Sequence, residues 1–404
     1  MKYFILVPDG AGDDKVEALN GKTPLEVADM PCVTKLAQKG RVGMVKTVPD
    51  GIAPGSDAAN LSVMGYDPCV YLTGRSPLEA ASIGIEMSDT DVAFRTNIIT
   101  LSGEGEYDDL TVLDHSAGDI TTEEAAILIQ AVQDALGEDD LKFYPGVSYR
   151  HCMIVNNGRT DYDLTPPHDI LGKRAGDYLP KGPDAERITT LMKKSYEILK
   201  DHPVNKARME KGLNPANTIW IWGQGKKPNL SSFTEKYGIT GTAISAVDLI
   251  KGIAICAGLD SVDVEGATGT LHTNFEGKCQ AAIDEFKNGK DFVYMHLEGP
   301  DECSHQGDME GKIQCLGDID SKILAPVVKY LEETEEDFTV LVVPDHRTPL
   351  AIRTHSSTPV PYVIYRSNDV QPLDETKAFC EVSGETGIYF DNGYEMADYF
   401  FSAK

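Results

Sequence analysis

Short apolar runs alternate with helix-forming segments along much of this chain, and that alternation constrains the fold more than any other feature. β-Branched and aromatic residues fill the runs at 2–8, 291–297, 338–343 and 361–365. Helix-forming segments occupy 246–257 and 312–332. Strands that are apolar throughout and alternate with helices are typical of a mostly parallel sheet covered by helices on both faces. The sequence therefore predicts an α/β fold.

A different kind of sequence begins near residue 90. It combines predicted strands at 93–100, 141–144 and 149–156 with predicted helices at 121–136 and 183–200. A chain of 404 residues is longer than one hydrophobic core normally serves. We therefore predict a larger domain from 1–90 and 201–404, which resumes with a strand at 218–222, and a smaller α+β domain inserted at 91–200.

Acidic residues outnumber basic ones, with 64 Asp and Glu against 37 Lys and Arg and a formal net charge of −27. Nucleic-acid binding depends on a basic surface, so the sequence predicts no nucleic-acid partner. Such a surface also repels a small phosphorylated substrate, unless metal ions or Arg and Lys side chains are concentrated where the substrate binds. Nothing in the sequence indicates an oligomeric state.

Several features bear on where the protein works. No apolar run approaches the roughly 20 residues that span a bilayer, so we expect no membrane association. Residues 1–10 hold a short apolar run without a small-residue cleavage site, which we interpret as a core strand and not a signal peptide. The eight cysteines are scattered and form no Cys-x-x-Cys pair. These features predict a reduced, cytoplasmic protein.

Side chains that can bind metal ions follow the predicted strands. Asp9, Asp301 and the pair Asp345-His346 each come just after a β-rich apolar run. Open parallel sheets bind ligands at the carboxyl ends of their strands, so we expect these side chains at one edge. His305 lies four residues after the second of them, and His355 nine residues after the last. Catalytic metal sites combine imidazoles and carboxylates, which makes this edge a candidate metal centre.

Ser56 is the best candidate nucleophile. It stands in a loop rich in Gly and Pro, just before a predicted helix at 58–64. Unpaired N–H groups at a helix N-terminus favour an alkoxide or a phosphate, and a neighbouring divalent metal lowers the pKa of a hydroxyl. The alternative is that Ser56 only caps the helix.

Candidate substrate-binding cations are concentrated in or near the inserted segment. Arg95, Arg150 and His151 lie on predicted strands, where charge is unusual, and Arg matches phosphate or carboxylate in bidentate fashion. Arg75 and the pair His168-Asp169 are further candidates. The alternative for each is a solvated surface residue. The sequence has no Walker-type phosphate loop and no dinucleotide-binding Gly-x-Gly-x-x-Gly after a strand.

An ordered set of motifs extends over nearly the whole chain, at 8–13, 23–28, 54–60, 71–75, 93–97, 149–151, 166–169, 266–269, 273–278, 296–301, 345–346 and 355–361. This set resembles the cofactor-independent (2,3-bisphosphoglycerate-independent) phosphoglycerate mutases in their shorter, archaeal-type form, within the alkaline phosphatase superfamily. The resemblance implies an alkaline-phosphatase-like sandwich of helices on a mostly parallel sheet. It also implies that the inserted domain is a substrate-binding lid.

The resemblance implies two divalent metal ions, most often Mn²⁺, with Zn²⁺, Co²⁺ or Mg²⁺ as substitutes, and no 2,3-bisphosphoglycerate. The implied ligands form two groups, Asp301, His305 and His355 for one ion and Asp9, Ser56, Asp345 and His346 for the other. The resemblance also implies the side chains that would hold the glycerate, namely Arg95, Arg150, His151 and Lys278.

The activity that the resemblance implies is the interconversion of 3-phosphoglycerate and 2-phosphoglycerate, an isomerase step of glycolysis and gluconeogenesis. Ser56 would form a phosphoserine intermediate. Two alternatives stay open, because a metal centre of this kind serves any phosphoryl transfer. One is a homoserine kinase-like phosphotransferase of threonine biosynthesis, favoured by departures from the mutase pattern at Ser76 and His272. The other is a metal-dependent phosphatase or phosphodiesterase.

Overall fold

A computed structural model describes residues 1–402 and divides the chain into two compact units. The first unit combines residues 1–72 with the chain from 229 onward, and the second is residues 73–228. Each unit has its own cluster of buried apolar side chains.

An eight-stranded sheet forms the centre of the first unit, in the order β13-β2-β12-β11-β1-β10-β8-β9. Its strands are β1 (Lys2–Pro8), β2 (Arg41–Val45), β8 (Gly241–Ile244), β9 (Asp260–Val262), β10 (Phe292–Leu297), β11 (Phe338–Val342), β12 (Val360–Arg366) and β13 (Ile388–Phe390). Only β12 runs antiparallel to its neighbours among these strands. The predicted α/β fold with a mostly parallel sheet is confirmed.

The helices of the first unit connect these strands. They are α1 (Pro24–Val27), α2 (Pro31–Lys39), α3 (Ser56–Val63), α4 (Pro68–Tyr71), α9 (Phe233–Tyr237), α10 (Asp248–Cys256), α11 (Phe275–Lys287), α12 (Gly299–Gln306), α13 (Met309–Ile319), α14 (Ala325–Glu333), α15 (Glu381–Gly384) and α16 (Gly393–Phe401). The predicted helix at 312–332 is interrupted by a π-helical turn, Asp320–Leu324. Within that turn, the carboxylate of Asp320 accepts hydrogen bonds from the first free N–H groups of α2.

The second unit is an antiparallel sheet with helices. Its strands are β3 (Val92–Ser102), β4 (Thr111–Asp114), β5 (Leu141–Tyr144), β6 (Arg150–Val155) and β7 (Thr218–Lys226), and its helices are α5 (Ser76–Ser82), α6 (Thr122–Leu136), α7 (Ala185–Leu199) and α8 (Pro203–Glu210). The long strand β3 pairs with β6 and β4 on one side and with β7 on the other.

The boundaries of the two units differ from the predicted boundaries at 90/91 and 200/201. The predicted strand at 218–222 does not return to the first sheet, because it becomes β7 and pairs with β3 from Val92 to Ile99. Helix α5 also packs against β3 and β7. The segments on either side of the predicted insert therefore belong to the second unit, which runs from 73 to 228.

Membrane association was not expected from the sequence. Among the described residues, none of the helices combines the length and apolar character needed to cross a bilayer.

Candidate active site

Three neighbouring strands of the first sheet end at the same edge and deliver the candidate metal ligands there. Strand β1 is flanked by β10 and β11, and all three are parallel. Asp9 follows β1, the pair Asp345-His346 follows β11, and Asp301 lies on α12, directly after β10. Parallel strands place their carboxyl ends together, so three distant segments of sequence meet at one place.

One group of possible ligands contains Asp9, Asp345 and His346. The Nε2 atom of His346 lies 3.5 Å from Asp9 Oδ1 and 3.5 Å from Asp345 Oδ2. All three side chains are buried, each with 1% or less of its surface exposed. Their ligand atoms lie within 4.8 Å of one another, a spacing that could hold one ion.

A second group contains Asp301, His346 and His355, and His305 lies beside it. The Nε2 atom of His305 lies 3.1 Å from Asp301 Oδ2 and 3.1 Å from His355 Nε2. The His355 Nε2 atom lies 3.5 Å from Asp301 Oδ1. Helix α12 carries both Asp301 and His305, and their i, i+4 spacing places them on one helix face.

The second ring nitrogens of the two outer histidines face backbone carbonyl groups. His305 Nδ1 lies 2.9 Å from the Arg353 oxygen, and His355 Nδ1 lies 3.4 Å from the Pro54 oxygen. If each Nδ1 carries the ring proton, each Nε2 is left free to bind a cation. Metal-binding histidines in proteins are usually oriented in this way.

Ser56 is the first residue of α3 and does not act as the N-cap of the helix. Gly55 occupies the cap position, and no side chain caps this helix N-terminus. The alternative role of a capping serine is therefore wrong. The hydroxyl oxygen of Ser56 instead lies 3.2 Å from His346 Nε2.

Asn60, one helical turn after Ser56, links the nucleophile candidate to the acids. Its amide nitrogen donates to the backbone oxygen of Ser56 at 2.8 Å and to Asp345 Oδ2 at 2.9 Å. Its amide oxygen accepts a hydrogen bond from the hydroxyl of Tyr294. Both Asn60 and Tyr294 are fully buried, so this chain of bonds fixes α3 relative to Asp345.

Several carboxyl groups are buried close together in this site, and their pKa values are shifted. Burial raises the pKa of Asp9 well above its usual range, and repulsion by Asp345 and Asp301 adds to the effect. Burial opposes ionisation of Asp345 too, but His346 and His296 lower its pKa overall. Burial, with repulsion from Glu302, raises the pKa of Glu298 to about 7. The repulsion between buried like charges of this kind decreases when a cation binds among them.

The residues present fit divalent metal ions. Within residues 1–402, Asp9 Oδ1 is a buried atom without a hydrogen-bond partner, and His296 Nε2 lies 3.1 Å from the other carboxylate oxygen of Asp9. Buried polar atoms usually have a partner, and these two point into a set of carboxylates and imidazoles. Oxygen and nitrogen donors of this type suit Mn²⁺, Zn²⁺ and related ions.

The second unit brings several of the predicted cations next to a row of aromatic rings that meet edge to face. Arg95 lies 4.8 Å from the Trp222 ring centre, and Arg150 lies 5.8 Å from the Tyr149 ring centre. The rings between them are in contact, Trp222 with His168 at 5.4 Å, His168 with His115 at 6.2 Å, and His115 with Tyr149 at 5.6 Å. Arg95 is also paired with Glu79.

The other predicted substrate residues are placed differently. His151 is buried inside the second unit, and its Nδ1 accepts a hydrogen bond from the Gly146 N–H at 3.0 Å. Arg75 and Asp169 are exposed in the same unit, Asp169 3.7 Å from His168. Lys278 lies on α11 of the first unit, where burial lowers its pKa to about 8. Its ammonium group donates to the Thr268 carbonyl oxygen at 3.4 Å.

The chain was compared with known proteins. A family model described as 2,3-bisphosphoglycerate-independent phosphoglycerate mutase matches residues 37–205. A relative of that name from Methanosarcina barkeri is 47% identical over 388 residues, which cover 96% of each chain. This chain belongs to the 2,3-bisphosphoglycerate-independent phosphoglycerate mutases.

Solved structures agree with the family. The cofactor-independent phosphoglycerate mutase from Thermoplasma acidophilum superposes with a TM-score of 0.68 at 26% identity, covering 100% of this chain and 99% of that one. A protein from Pyrococcus horikoshii gives a TM-score of 0.81 at 28% identity, covering 99% and 96% of the two chains. Membership in the mutases favours that activity over the homoserine kinase and the phosphatase.

Sequence reasoning did not assign roles to several residues that the structure places beside the candidate residues of one unit or the other. They are Asn60, His115, Tyr149, Trp222, Tyr294, His296, Glu298 and Thr348. A signal was available for His296 and Glu298, because His296 is a polar residue within the apolar strand β10 and Glu298 directly follows that strand, three residues before Asp301. Asn60 and Thr348 gave none, since a buried amide or hydroxyl is recognisable only by its distant partners.

Proposed function

We propose that this chain interconverts 3-phosphoglycerate and 2-phosphoglycerate, with Ser56 carrying the phosphoryl group as phosphoserine. The supporting observation is the Ser56 hydroxyl, which begins α3 and lies 3.2 Å from His346 Nε2 among the clustered acids. Family membership supports the substrate. The free N–H groups at the start of α3 favour the negative charge that develops as the hydroxyl reacts.

The phosphoryl group is transferred in two steps. In the first, a bond forms between Ser56 Oγ and phosphorus while the bond between phosphorus and the C3 oxygen of the substrate breaks. Ser56 loses its proton in this step, and the C3 oxygen of glycerate gains one. In the second step the C2 hydroxyl attacks the phosphoserine, gives up its proton and restores Ser56.

The metal ligands proposed from the sequence are retained here. Asp301, His305 and His355 would hold one ion, and Asp9, Ser56, Asp345 and His346 the other, with Mn²⁺ proposed first. Bound ions of this kind lower the pKa of a serine hydroxyl and neutralise charge on the phosphoryl oxygens. Asp345 and His346 would support the nucleophile side of the centre, because Ser56 contacts His346 directly.

The glycerate moiety is proposed to bind the second unit, through Arg95, Arg150 and His168 of the ring row. Trp222 and Tyr149 support the two guanidinium groups by stacking beneath them. Arg75, His151, Asp169 and Lys278 remain proposed substrate residues. A cytoplasmic location is proposed as well, because the eight cysteines are scattered along the chain and form no Cys-x-x-Cys pair.

The test is conversion of 3-phosphoglycerate to 2-phosphoglycerate with Mn²⁺ and without 2,3-bisphosphoglycerate. Ser56→Ala should lose turnover and also fail to incorporate phosphate from labelled substrate. Ser62→Ala, a buried serine of the same helix, is the matched control and should keep both. Full activity in Ser56→Ala would contradict the proposal. Rapid release of inorganic phosphate would indicate a phosphatase instead, and ATP-dependent phosphorylation of homoserine a kinase.

A further inference from the structure

Thr348 joins the two groups of metal ligands through one hydroxyl. It is completely buried, two residues after His346. Its Oγ1 donates to Asp301 Oδ1 at 2.5 Å and lies 3.2 Å from His346 Nδ1. Asp301 lies with His305 and His355, whereas His346 belongs to both groups and contacts Ser56.

These two contacts favour one arrangement of the protons. A threonine hydroxyl has one proton, and an ionised carboxylate can only accept, so the proton points at Asp301. The contact with His346 Nδ1 is then a hydrogen bond if His346 carries a ring proton on Nδ1, because the hydroxyl has no second proton to donate. In the neutral ring with its proton on Nδ1, the Nε2 lone pair faces Ser56, Asp9 and Asp345.

The backbone of Thr348 is held on both sides. Its N–H donates to the Gly12 oxygen at 3.1 Å, and its carbonyl accepts from the buried ammonium of Lys312 at 3.1 Å. The same ammonium is paired with Asp13 at 2.7 Å. The backbone that carries the hydroxyl is thus held independently of the two side chains that the hydroxyl touches.

We propose that Thr348 is a positioning residue that sets the ring tautomer of His346 and the orientation of Asp301, and so couples the two metal positions. The proposal rests on the proposed function for the identity of the ions, but its geometry is independent of the substrate. Groups that orient metal ligands by hydrogen bonds typically change metal affinity by about 10- to 100-fold when removed.

The test compares two substitutions in chelator-treated protein. Thr348→Val keeps the shape and removes the hydroxyl, whereas Thr348→Ser keeps the hydroxyl and removes a methyl group. Mn²⁺ alone is titrated by calorimetry, and thermal unfolding of the metal-free proteins checks the fold. We expect Thr348→Val to weaken Mn²⁺ binding by about tenfold or more, and Thr348→Ser to stay within about twofold of the unaltered protein.

A second measurement needs no variant. Nitrogen NMR of ¹⁵N-histidine-labelled, metal-free protein should show the His346 ring protonated on Nδ1, with the resonance assigned from a His346→Gln sample. If the proton is instead on Nε2, or if Thr348→Val binds Mn²⁺ within twofold of the unaltered protein, the proposal is overturned. If Thr348→Val does not fold, the NMR measurement of the His346 tautomer alone tests the proposal.

The outcomes also separate this proposal from the proposed function. Absence of Mn²⁺ binding in the unaltered protein would remove the metal centre and the Thr348 role together. Normal metal binding with the expected tautomer, but no mutase turnover, would leave the Thr348 role standing and overturn the proposed substrate.

Discussion

Gly10 lies where the candidate site leaves no space for a side chain. Its φ of +63° is in the left-handed region, and a Cβ atom would lie 2.6 Å from both Asp301 Oδ1 and Thr348 Oγ1. Its N–H donates to Asp345 Oδ1 at 3.1 Å. A glycine is needed here both for the backbone angle and for the close approach of two ligand-bearing segments.

Gly10→Ala should therefore destabilise the protein and disturb the centre. Gly21→Ala is the matched control, since Gly21 also has a positive φ, of +76°, but faces open space. We expect Gly10→Ala to lose roughly 1–3 kcal/mol more unfolding free energy than Gly21→Ala, because only the former overpacks a buried site. Urea denaturation measures the difference, and Mn²⁺ affinity should fall in Gly10→Ala alone. Equal losses in the two variants would show that the backbone angle is the whole effect.

His151 gives the second unit a pH dependence. Burial lowers the pKa of His151 from 6.5 to about 3, and protonating Nδ1 would also break its bond from the Gly146 N–H. The folded state therefore prefers the neutral ring. Its contribution to stability is complete above pH 6.5 and is lost as the pH falls from 6.5 towards 3, because the unfolded chain takes up the proton first.

Replacing His151 with Gln should remove this dependence. We expect the difference in unfolding free energy between the unaltered protein and His151→Gln to shift by up to about 1.4 kcal/mol per pH unit inside that window. Denaturation series at several pH values give the slope, and His202→Gln, a more exposed histidine of the same unit, is the comparison. A pH-independent difference would contradict the argument.

At the scale of elements, α13 anchors the two loops that carry the candidate ligands. Lys312 on α13 reaches Asp13, just after β1, and the carbonyl groups of Gly12 and Thr348. Asp13 in turn accepts from the N–H of Leu350. One buried ion pair thus connects a helix with the loops that follow β1 and β11.

Breaking this ion pair should destabilise the folded protein strongly. Lys312→Met or Asp13→Asn alone should lower the unfolding free energy by about 3–5 kcal/mol. Each variant leaves the remaining buried charge without the opposite charge that compensates it. The double variant should lose less than the sum, and that coupling is the measurable signature in urea denaturation. Lys329→Met, which removes an exposed partner of Glu333, should be nearly neutral. Strict additivity of the two buried changes would show that they do not interact.

At the scale of the whole molecule, the clustered acids oppose folding in a chain that already has a net charge of −27. Ions bound at the candidate centre would stabilise the folded state in proportion to their occupancy. Mn²⁺ at about 100 times its dissociation constant should raise the unfolding free energy by about 2.7 kcal/mol per ion. Scanning calorimetry with and without chelator measures this change.

Two controls isolate site binding from general screening. Sodium chloride at matched ionic strength screens the net charge but does not bind the centre. Asp345→Asn removes one ligand charge and should reduce the increment that Mn²⁺ gives. The same increment from sodium chloride, or in Asp345→Asn, would indicate screening and not site binding.

Much of the architecture could be predicted from the sequence because its signals are local. The apolar runs of β1, β10 and β11 identify buried parallel strands by composition alone, and the acids and histidines that follow are then expected at one edge. The placement of Ser56 at the start of α3 follows from the loop before it.

The tertiary structure decided what local pattern does not encode. Apolar alternation cannot say which sheet a strand joins, so β7 was expected in the first domain and pairs with β3 in the second unit. Likewise Asn60 and Thr348 read as ordinary polar residues, and they acquire meaning from Asp345, 285 positions away from Asn60, and from Asp301. The sequence by itself determined the ligand types and the strand ends that carry them. The long-range hydrogen bonds that orient those ligands exist only once distant segments pack, because burial is what makes a single amide or hydroxyl decisive.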